Sequence, residues 1–213
     1  MHSGRCNAVL SCAFVVAFLA LFSTTTVSAA DDGPGAFVSR LGQQTIEKLA
    51  DVSLTPAARE TQFRDLLREG FAVKAIGQFV LGKYRRTASA ETVNEFINVF
   101  EDYVVALYAK QFKHFNGQKF QVENVINASG SKDSMVATKV FPAADSEPLR
   151  VDFQVRNSGD SFKILDVRVE GVSMVLAQRD EFTSYIATNG GQIESLTKAL
   201  RQRIANGTPK PTN

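Results

Sequence analysis

The sequence predicts an α+β domain in which a four-stranded antiparallel sheet is covered by helices. Three observations predict this fold. Apolar residues recur every three to four positions in the first and last parts of the chain, which is helical spacing. In the middle part their period changes to two, which is strand spacing. The composition, with 44% hydrophobic and 22% charged residues, is typical of a globular protein, and a net charge of +2 is too small to predict a nucleic-acid surface.

Residues 1–30 have the pattern of a secretory signal segment. Arg5 precedes an apolar run from Ala8 to Phe22, and the small residues Ser28-Ala29-Ala30 form a cleavage site before Asp31. An uncleaved membrane anchor is the alternative, but a span needs about 20 apolar residues, and this run is shorter. We therefore expect export and removal of residues 1–30.

Both cysteines, Cys6 and Cys12, lie within that segment. The mature chain is therefore predicted to have no disulfide, no thiolate nucleophile and no cysteine metal site. Small exported domains often depend on disulfides, whereas a chain of this length can bury about 70% of its unfolded surface. We expect a single domain over residues 31–205, stabilised by its apolar core, and a disordered tail over residues 206–213.

Three helical segments precede the predicted sheet. The first has apolar positions from Phe37 to Val52. The second begins at Thr55-Pro56, with Thr as the helix cap and Pro at the first helical position, and Gly70 and Gly77 divide it. After a basic loop over residues 83–86, Ser89 caps a long helix that ends by residue 117.

Four strands follow, joined by short turns. They are expected over residues 119–125, 135–141, 151–156 and 162–169, and their short connections predict an antiparallel meander. Such a sheet has one packed and one wet face. The chain then returns to helix at Gly171-Val172-Ser173, and a last amphipathic helix runs from about Ile193 to Ile204.

The sequence offers little catalytic chemistry. His114 is the only histidine after the predicted cleavage, so a site with several histidine ligands is excluded. The segment from Gly171 to Val175 matches four of the five positions around a hydrolase nucleophile, but it lacks the final glycine and the strand-rich frame of such enzymes. We interpret Ser173 as a helix cap, and we expect no enzymatic activity, no metal and no cofactor.

The apolar content is high by comparison. The mature chain contains 13 Phe and 4 Tyr but no Trp. These aromatic residues either fill a core or form the walls of an apolar cavity, and periodicity does not distinguish the two. From the residues alone, the prediction is an exported α+β binding domain.

Several segments resemble the MlaC family, also called toluene-tolerance proteins. Phe79-Val80-Leu81-Gly82-Lys83-Tyr84 is similar to the family's FVLG-x-[YW] segment. A longer match comprises Val151 to Arg156 and then Ile164 to Met174, with the family's EGVSM at the start of a helix. Gln178 to Phe182 and Asn189-Gly190-Gly191 continue it, and the order of elements agrees from about residue 36 to 204.

The resemblance implies a periplasmic carrier of phospholipid that maintains the lipid asymmetry of the outer membrane. Its partners would be an inner-membrane ABC transporter with an MCE-domain ring and an outer-membrane lipoprotein–porin complex. The acyl chains would lie in a pocket between sheet and helices, with phospholipid as cargo. Three alternatives stay open: a carrier of the similar hopanoid-associated branch, a periplasmic adaptor that carries no lipid, and an enzyme acting on lipid headgroups.

Inward strand positions and broad helix faces give the candidate lining of that pocket. It comprises Ile76, Val80, Phe100, Val104, Leu107, Val151, Phe153, Val155, Val167, Val169, Val172 and Met174. Tyr84 and Tyr103 are placed at the mouth, where an aromatic ring with a polar tip suits a wet boundary. Lys83, Arg85 and Arg86 are expected to meet phosphate, to meet an acidic partner surface, or simply to be solvated.

We predict that exported protein begins at Asp31, because signal peptidase cleaves after small residues such as Ala30. Intact-mass analysis of the protein in a periplasmic extract measures this directly. A mass that still includes residues 1–30 would contradict the prediction and favour the membrane anchor.

Overall fold

A computed structural model describes residues 33–114, 118–127, 129–141, 147–159 and 161–207, without the side chains of residues 113 and 114. The predicted signal segment with both cysteines, and the tail from residue 208 onwards, lie outside the described residues. The helices are α1 (Pro34–Leu49), α2 (Pro56–Gly70), α3 (Val73–Val80), α4 (Ala90–Tyr108), α5 (Met174–Thr188) and α6 (Ile193–Ala205). The strands are β1 (Lys119–Asn127), β2 (Asp133–Phe141), β3 (Leu149–Asn157), β4 (Phe162–Val169) and β5 (Val172–Ser173).

The α+β prediction is confirmed, with one correction to the sheet. The strands form one antiparallel sheet in the order β1-β2-β3-β4-β5. The fifth strand was not predicted, because it is only the two residues Val172–Ser173, which pair with Val169 and Arg168 before α5 begins. The predicted basic loop is also wrong: Gly82–Arg86 forms a short 3-10 helix.

Two predicted caps begin the helices as expected. The backbone N–H of Ala58 donates to Oγ1 of Thr55 over 3.2 Å at the start of α2. The N–H of Thr92 donates to Oγ of Ser89 over 3.0 Å at the start of α4. Each bond satisfies one of the amide groups that a helix leaves free in its first turn.

The two faces of the sheet differ in chemistry. On the inward face, Val136, Val155 and Ile164 are completely buried. The opposite face carries ion pairs, including Asp133 with Arg156 at 2.6 Å and Glu123 with Lys139 at 2.6 Å. Successive side chains of a strand point to opposite faces, so this division follows from the alternation of apolar and charged residues.

Helix α1 lies very close to β1 because glycines face the strand. A Cβ atom on Gly35 would lie 2.9 Å from a methyl group of Val125, and a Cβ on Gly42 would lie 2.7 Å from the ring of Phe120. Neither glycine leaves room for a methyl group. The two glycines, one on each side of Val38, therefore allow the helix backbone to approach the sheet.

The other helices build a core of their own. Phe96 and Phe182 are completely buried, and their ring centroids are 6.0 Å apart in an edge-on arrangement. Phe100 packs against both rings, at 5.9 Å from Phe96 and 6.2 Å from Phe182. This aromatic cluster joins α4 to α5, and buried leucines of α6 complete it.

Helix α2 is tied to α4 by a cluster of charges. One oxygen of the Glu101 carboxylate accepts hydrogen bonds from Arg64 Nη1 at 2.8 Å and Arg68 Nε at 2.9 Å. Arg64 Nη1 also lies 2.8 Å from Oδ1 of Asp102. Burial alone would raise the pKa of Glu101, but the hydrogen bonds from the two guanidinium groups outweigh it and hold the pKa below its ordinary value.

We predict that Glu101→Gln lowers the free energy of unfolding by about 1 kcal/mol near neutral pH, because two charge-assisted hydrogen bonds are weakened. The pKa of Glu101 is lower in the folded than in the unfolded protein. The carboxylate therefore contributes fully to the free energy of unfolding above its unfolded-state pKa, and this contribution is lost as the pH falls through its folded-state pKa. Urea denaturation of both proteins over a series of pH values should show the two curves converging in acid.

Glu95→Gln is the control, since its pair with Arg201 is solvent-exposed on both sides. Exposed pairs contribute at most about 1 kcal/mol and often much less, so this variant should differ little from the wild type. If the destabilisation caused by Glu101→Gln stayed constant down to the lowest pH, the lowered pKa of Glu101 in the folded protein would be contradicted.

Candidate functional site

An apolar cavity of about 390 Å³ lies between the inward face of the sheet and helices α1 to α5. Nine of the twelve residues that were predicted to line a pocket line this cavity: Ile76, Val80, Phe100, Val104, Leu107, Phe153, Val167, Val169 and Met174. They come from α3, α4, β3, β4 and the start of α5. That any of them touches a lipid stays a prediction.

Helices α1 and α2 supply much of the wall that the sequence-based lining omitted. Their contribution comprises Val38, Leu41, Gly42, Thr45, Ile46, Phe63, Leu66 and Leu67. Further unpredicted lining residues are Phe71, Val73, Tyr108, Phe112, Phe120, Val140, Ile164, Asp166, Val175 and Gln178. The helical spacing of Val38, Leu41 and Thr45 was a signal for the buried face of α1, but spacing does not say which core that face joins.

Val151 and Val155 lie outside the cavity, contrary to prediction. Val155 is completely buried and pairs with Ile164 where α1 begins to cover the sheet. Its neighbours there include Phe37 and Phe162, whose ring centroids are 5.8 Å apart and fill the space. Val151 is also buried, and the hydroxyl of Thr138 donates to its carbonyl oxygen. Both valines are buried, as expected of inward positions, but neither lines the cavity.

The two tyrosines predicted at the mouth are not cavity residues. Tyr103 is completely buried between α4 and α5, and its hydroxyl is hydrogen-bonded with Arg203. Burial is the largest effect on its pKa, which lies above the ordinary value. Tyr84 is half-buried against the helical core, with Nζ of Lys83 5.2 Å from its ring centroid.

Val172 is the third predicted lining residue that lies elsewhere. It is 57% exposed on the short strand β5, where it pairs with Val169. Its neighbour Met174 does line the cavity. The sequence placed Val172 where the chain returns to helix, but Val172 belongs to β5 and α5 begins only at Met174.

The polar groups in the cavity wall have partners within the protein. The Thr45 hydroxyl donates to the carbonyl oxygen of Leu41 over 2.7 Å. One oxygen of Asp166 accepts from the backbone N–H of Val175 over 3.2 Å, and Gln178 Nε2 donates to Glu181 over 2.9 Å. Because these groups are already hydrogen-bonded, they have less need of water or of a polar ligand. The cavity is therefore suited to hydrocarbon.

Tyr108 marks a place where the cavity reaches solvent. It belongs to the cavity lining, yet 36% of its surface is exposed. The partial burial of its hydroxyl raises its pKa. A ring in apolar surroundings with its hydroxyl at the boundary is the arrangement that had been predicted for Tyr84 and Tyr103.

Of the two residues considered for catalysis, Ser173 has a structural role. Ser173 Oγ accepts the N–H of Leu176 over 3.0 Å and so caps α5, as predicted. The His114 side chain lies outside the described residues.

Among the described residues, no group of three or more His, Cys, Asp and Glu side chains is arranged to hold a metal ion. Within the same part of the chain, no helix is both long and apolar enough to cross a bilayer.

The basic residues of the 3-10 helix face solvent. Lys83, Arg85 and Arg86 are exposed, and Arg85 donates to Gln78 over 3.2 Å. Contact with phosphate, contact with an acidic partner surface and solvation all stay predictions for these residues.

The chain matches known proteins over most of its length. A family model described as "MlaC protein" matches residues 39–202. The intermembrane phospholipid transport system binding protein MlaC of Haemophilus influenzae is 22% identical over 163 residues, covering 74% of this chain and 76% of that protein. A phospholipid-binding protein of Ralstonia solanacearum, solved in complex with a phospholipid, superposes with a TM-score of 0.69 at 18% identity, over 81% of this chain and 97% of that one. The last match establishes similarity of fold.

We predict that Ser173→Ala lowers the free energy of unfolding by about 1 kcal/mol, the usual effect of losing a helix cap, and leaves the amount of lipid bound unchanged. Urea denaturation and mass spectrometry of an organic extract measure the two properties on the same preparation. A Ser173→Ala protein with unaltered stability but abolished activity would instead support Ser173 as the nucleophile of a hydrolase.

Proposed function

Because the chain belongs to the MlaC family, we propose that it is a phospholipid carrier whose acyl chains occupy the apolar cavity. The observation that carries the proposal is the cavity itself, about 390 Å³ between sheet and helices with an almost wholly apolar lining. Its polar wall residues Thr45, Asp166 and Gln178 already have hydrogen-bond partners. Such a site holds hydrocarbon and exerts little polar attraction on it.

The energetics of lipid transfer favour a carrier of this kind. Each buried methylene is worth about 0.8 kcal/mol relative to water, so the roughly 30 methylenes of a two-chain lipid amount to about 24 kcal/mol gross. That barrier prevents useful transfer of free lipid through water. A bilayer gives the same stabilisation, so exchange between a bilayer and an apolar cavity is nearly neutral and needs no chemical step by the carrier itself.

The carrier would work in the periplasm, between the two membranes of the cell. Residues 1–30 have the pattern of an export signal, and the Haemophilus influenzae relative is named as part of an intermembrane transport system. We infer an inner-membrane MCE-domain transporter and an outer-membrane lipoprotein–porin complex as its partners. Both contacts should be transient and therefore small.

Mass spectrometry of an organic extract from the purified mature protein tests the proposal. Phospholipid in stoichiometric amount is the expected result. Hopanoid in its place would assign the protein to the hopanoid-associated branch, no lipid would indicate an adaptor, and accumulation of lysophospholipid would indicate an enzyme acting on lipids.

Two valines on neighbouring strands give a sharper test. We predict that Val167→Trp abolishes lipid binding without unfolding the protein, because its side chain lines the cavity and the indole can occupy the space of an acyl chain. Val155→Trp should instead lower the free energy of unfolding by about 1–3 kcal/mol or more, because it overpacks a filled core. Stability and lipid stoichiometry are measured for both variants.

The stability comparison uses delipidated proteins, because bound ligand raises the apparent stability of the wild type. Equal destabilisation of the two variants would mean that the space at Val167 is core. Normal folding and normal lipid content in Val167→Trp would show that the acyl chains do not lie beside Val167. Val104 on α4 would then be the next position to substitute.

A further inference from the structure

A polar groove adjoins the apolar cavity between α1 and the end of the sheet. It is an open space of about 660 Å³ and is lined by Gln43, Ile46, Glu47, Gln118, Lys119, Phe120, Gln121 and Phe141. Ile46 and Phe120 belong to the lining of the apolar cavity as well. These two side chains therefore lie between the two spaces, so the polar groove is directly adjacent to the apolar cavity.

The change from apolar to polar lining follows from local geometry. Gln43, Ile46 and Glu47 lie three and four positions apart on α1 and so share one face of the helix. On β1, Phe120 is half-buried and inward, whereas its neighbours Lys119 and Gln121 are exposed. On each element an apolar lining residue, Ile46 or Phe120, is thus adjacent in sequence to an exposed charged one, Glu47 or Lys119.

Two charges of opposite sign flank the groove, and neither has a counterion in the part of the chain that the structure describes. They are Glu47 of α1 and Lys119 of β1. The same pair of strands satisfies its other charges locally, as Glu123 and Lys139 form an ion pair at 2.6 Å. The three amide side chains of the groove add hydrogen-bond donors and acceptors.

We propose that this polar groove holds the headgroup of a zwitterionic phospholipid, with Lys119 next to the phosphate and Glu47 next to the terminal ammonium. The proposal rests on the proposed function, since the acyl chains of the same lipid would fill the apolar cavity. A phosphate with an attached amine carries the two charges that Lys119 and Glu47 complement. An anionic headgroup without an amine would leave Glu47 without a positive charge to complement.

The expected selectivity is modest. Both side chains are exposed to solvent, and contacts between exposed charges change an equilibrium by roughly two- to fivefold. Such a weak preference suits a carrier, because a strong attraction for the headgroup would hinder release. Lys119 contacts the phosphate, which every phospholipid has, whereas Glu47 contacts the group that distinguishes one headgroup from another.

The experiment uses delipidated mature protein and vesicles of equal parts phosphatidylethanolamine and phosphatidylglycerol with identical acyl chains. The protein is recovered after incubation, and each bound lipid is quantified by mass spectrometry. Wild type should take up phosphatidylethanolamine preferentially. Glu47→Gln should lower the ratio of phosphatidylethanolamine to phosphatidylglycerol by roughly two- to fivefold, and Lys119→Gln should lower uptake of both lipids to a similar extent.

Glu69→Gln and Lys198→Gln are the matched controls, because each removes the same charge from an exposed position that lies in neither cavity. They should behave as wild type. An unchanged ratio in Glu47→Gln, or undiminished uptake by Lys119→Gln, would overturn the headgroup assignment while lipid carriage stands. Failure of the wild type to take up either lipid would overturn the proposed function, and this inference with it.

Discussion

The apolar face of the sheet has to be shielded from water. The way in which the helices cover it determines how they pack on one another and where the cavity lies. Helix α1 lies close to β1, where Gly35 and Gly42 admit the helix backbone. Helices α4, α5 and α6 pack mainly on one another through the cluster around Phe96 and Phe182. Because α4 and α5 bury much of their apolar surface against each other and against α6, a space remains between these helices and the inward face of the sheet. Residues of α4 and α5, such as Phe100 and Met174, line the cavity on that side.

Charged residues close to the helix contacts and the cavity have partners within the protein. On α2 and α4, Glu101 and two arginines join the helices near the surface. At the cavity wall, Asp166 is held by the N–H of Val175 at the start of α5. A buried polar group without a partner costs free energy, so these internal bonds allow an apolar cavity to have a few polar wall residues and still favour hydrocarbon.

Periodicity predicted the elements and the inward faces of the strands. It did not predict whether an inward side chain lies in filled core or lines the cavity. Val155 and Val167 were assigned to the same face by the same alternation, yet Val155 is completely buried outside the cavity, whereas Val167 lines the cavity. That difference depends on which helix crosses which row of the sheet, which no local pattern records. The burial of Tyr103 against Arg203 has the same origin, because the two residues are far apart in sequence. The strand β5 was missed because two residues are too few to show a period.

The contact between Gly42 and Phe120 restricts how the cavity can change between related proteins. At this point one wall is helix backbone, and a Cβ atom there would lie 2.7 Å from the ring. The width of the cavity beside Phe120 is thus set by the separation of α1 from β1 and by the Phe120 ring, because α1 has no side chain at Gly42. Adaptation to a bulkier or slimmer cargo is easier on the opposite wall, where Phe63 and Val104 are replaceable without shifting a helix, so sequence variation among carriers with different cargo should concentrate on α2 and α4.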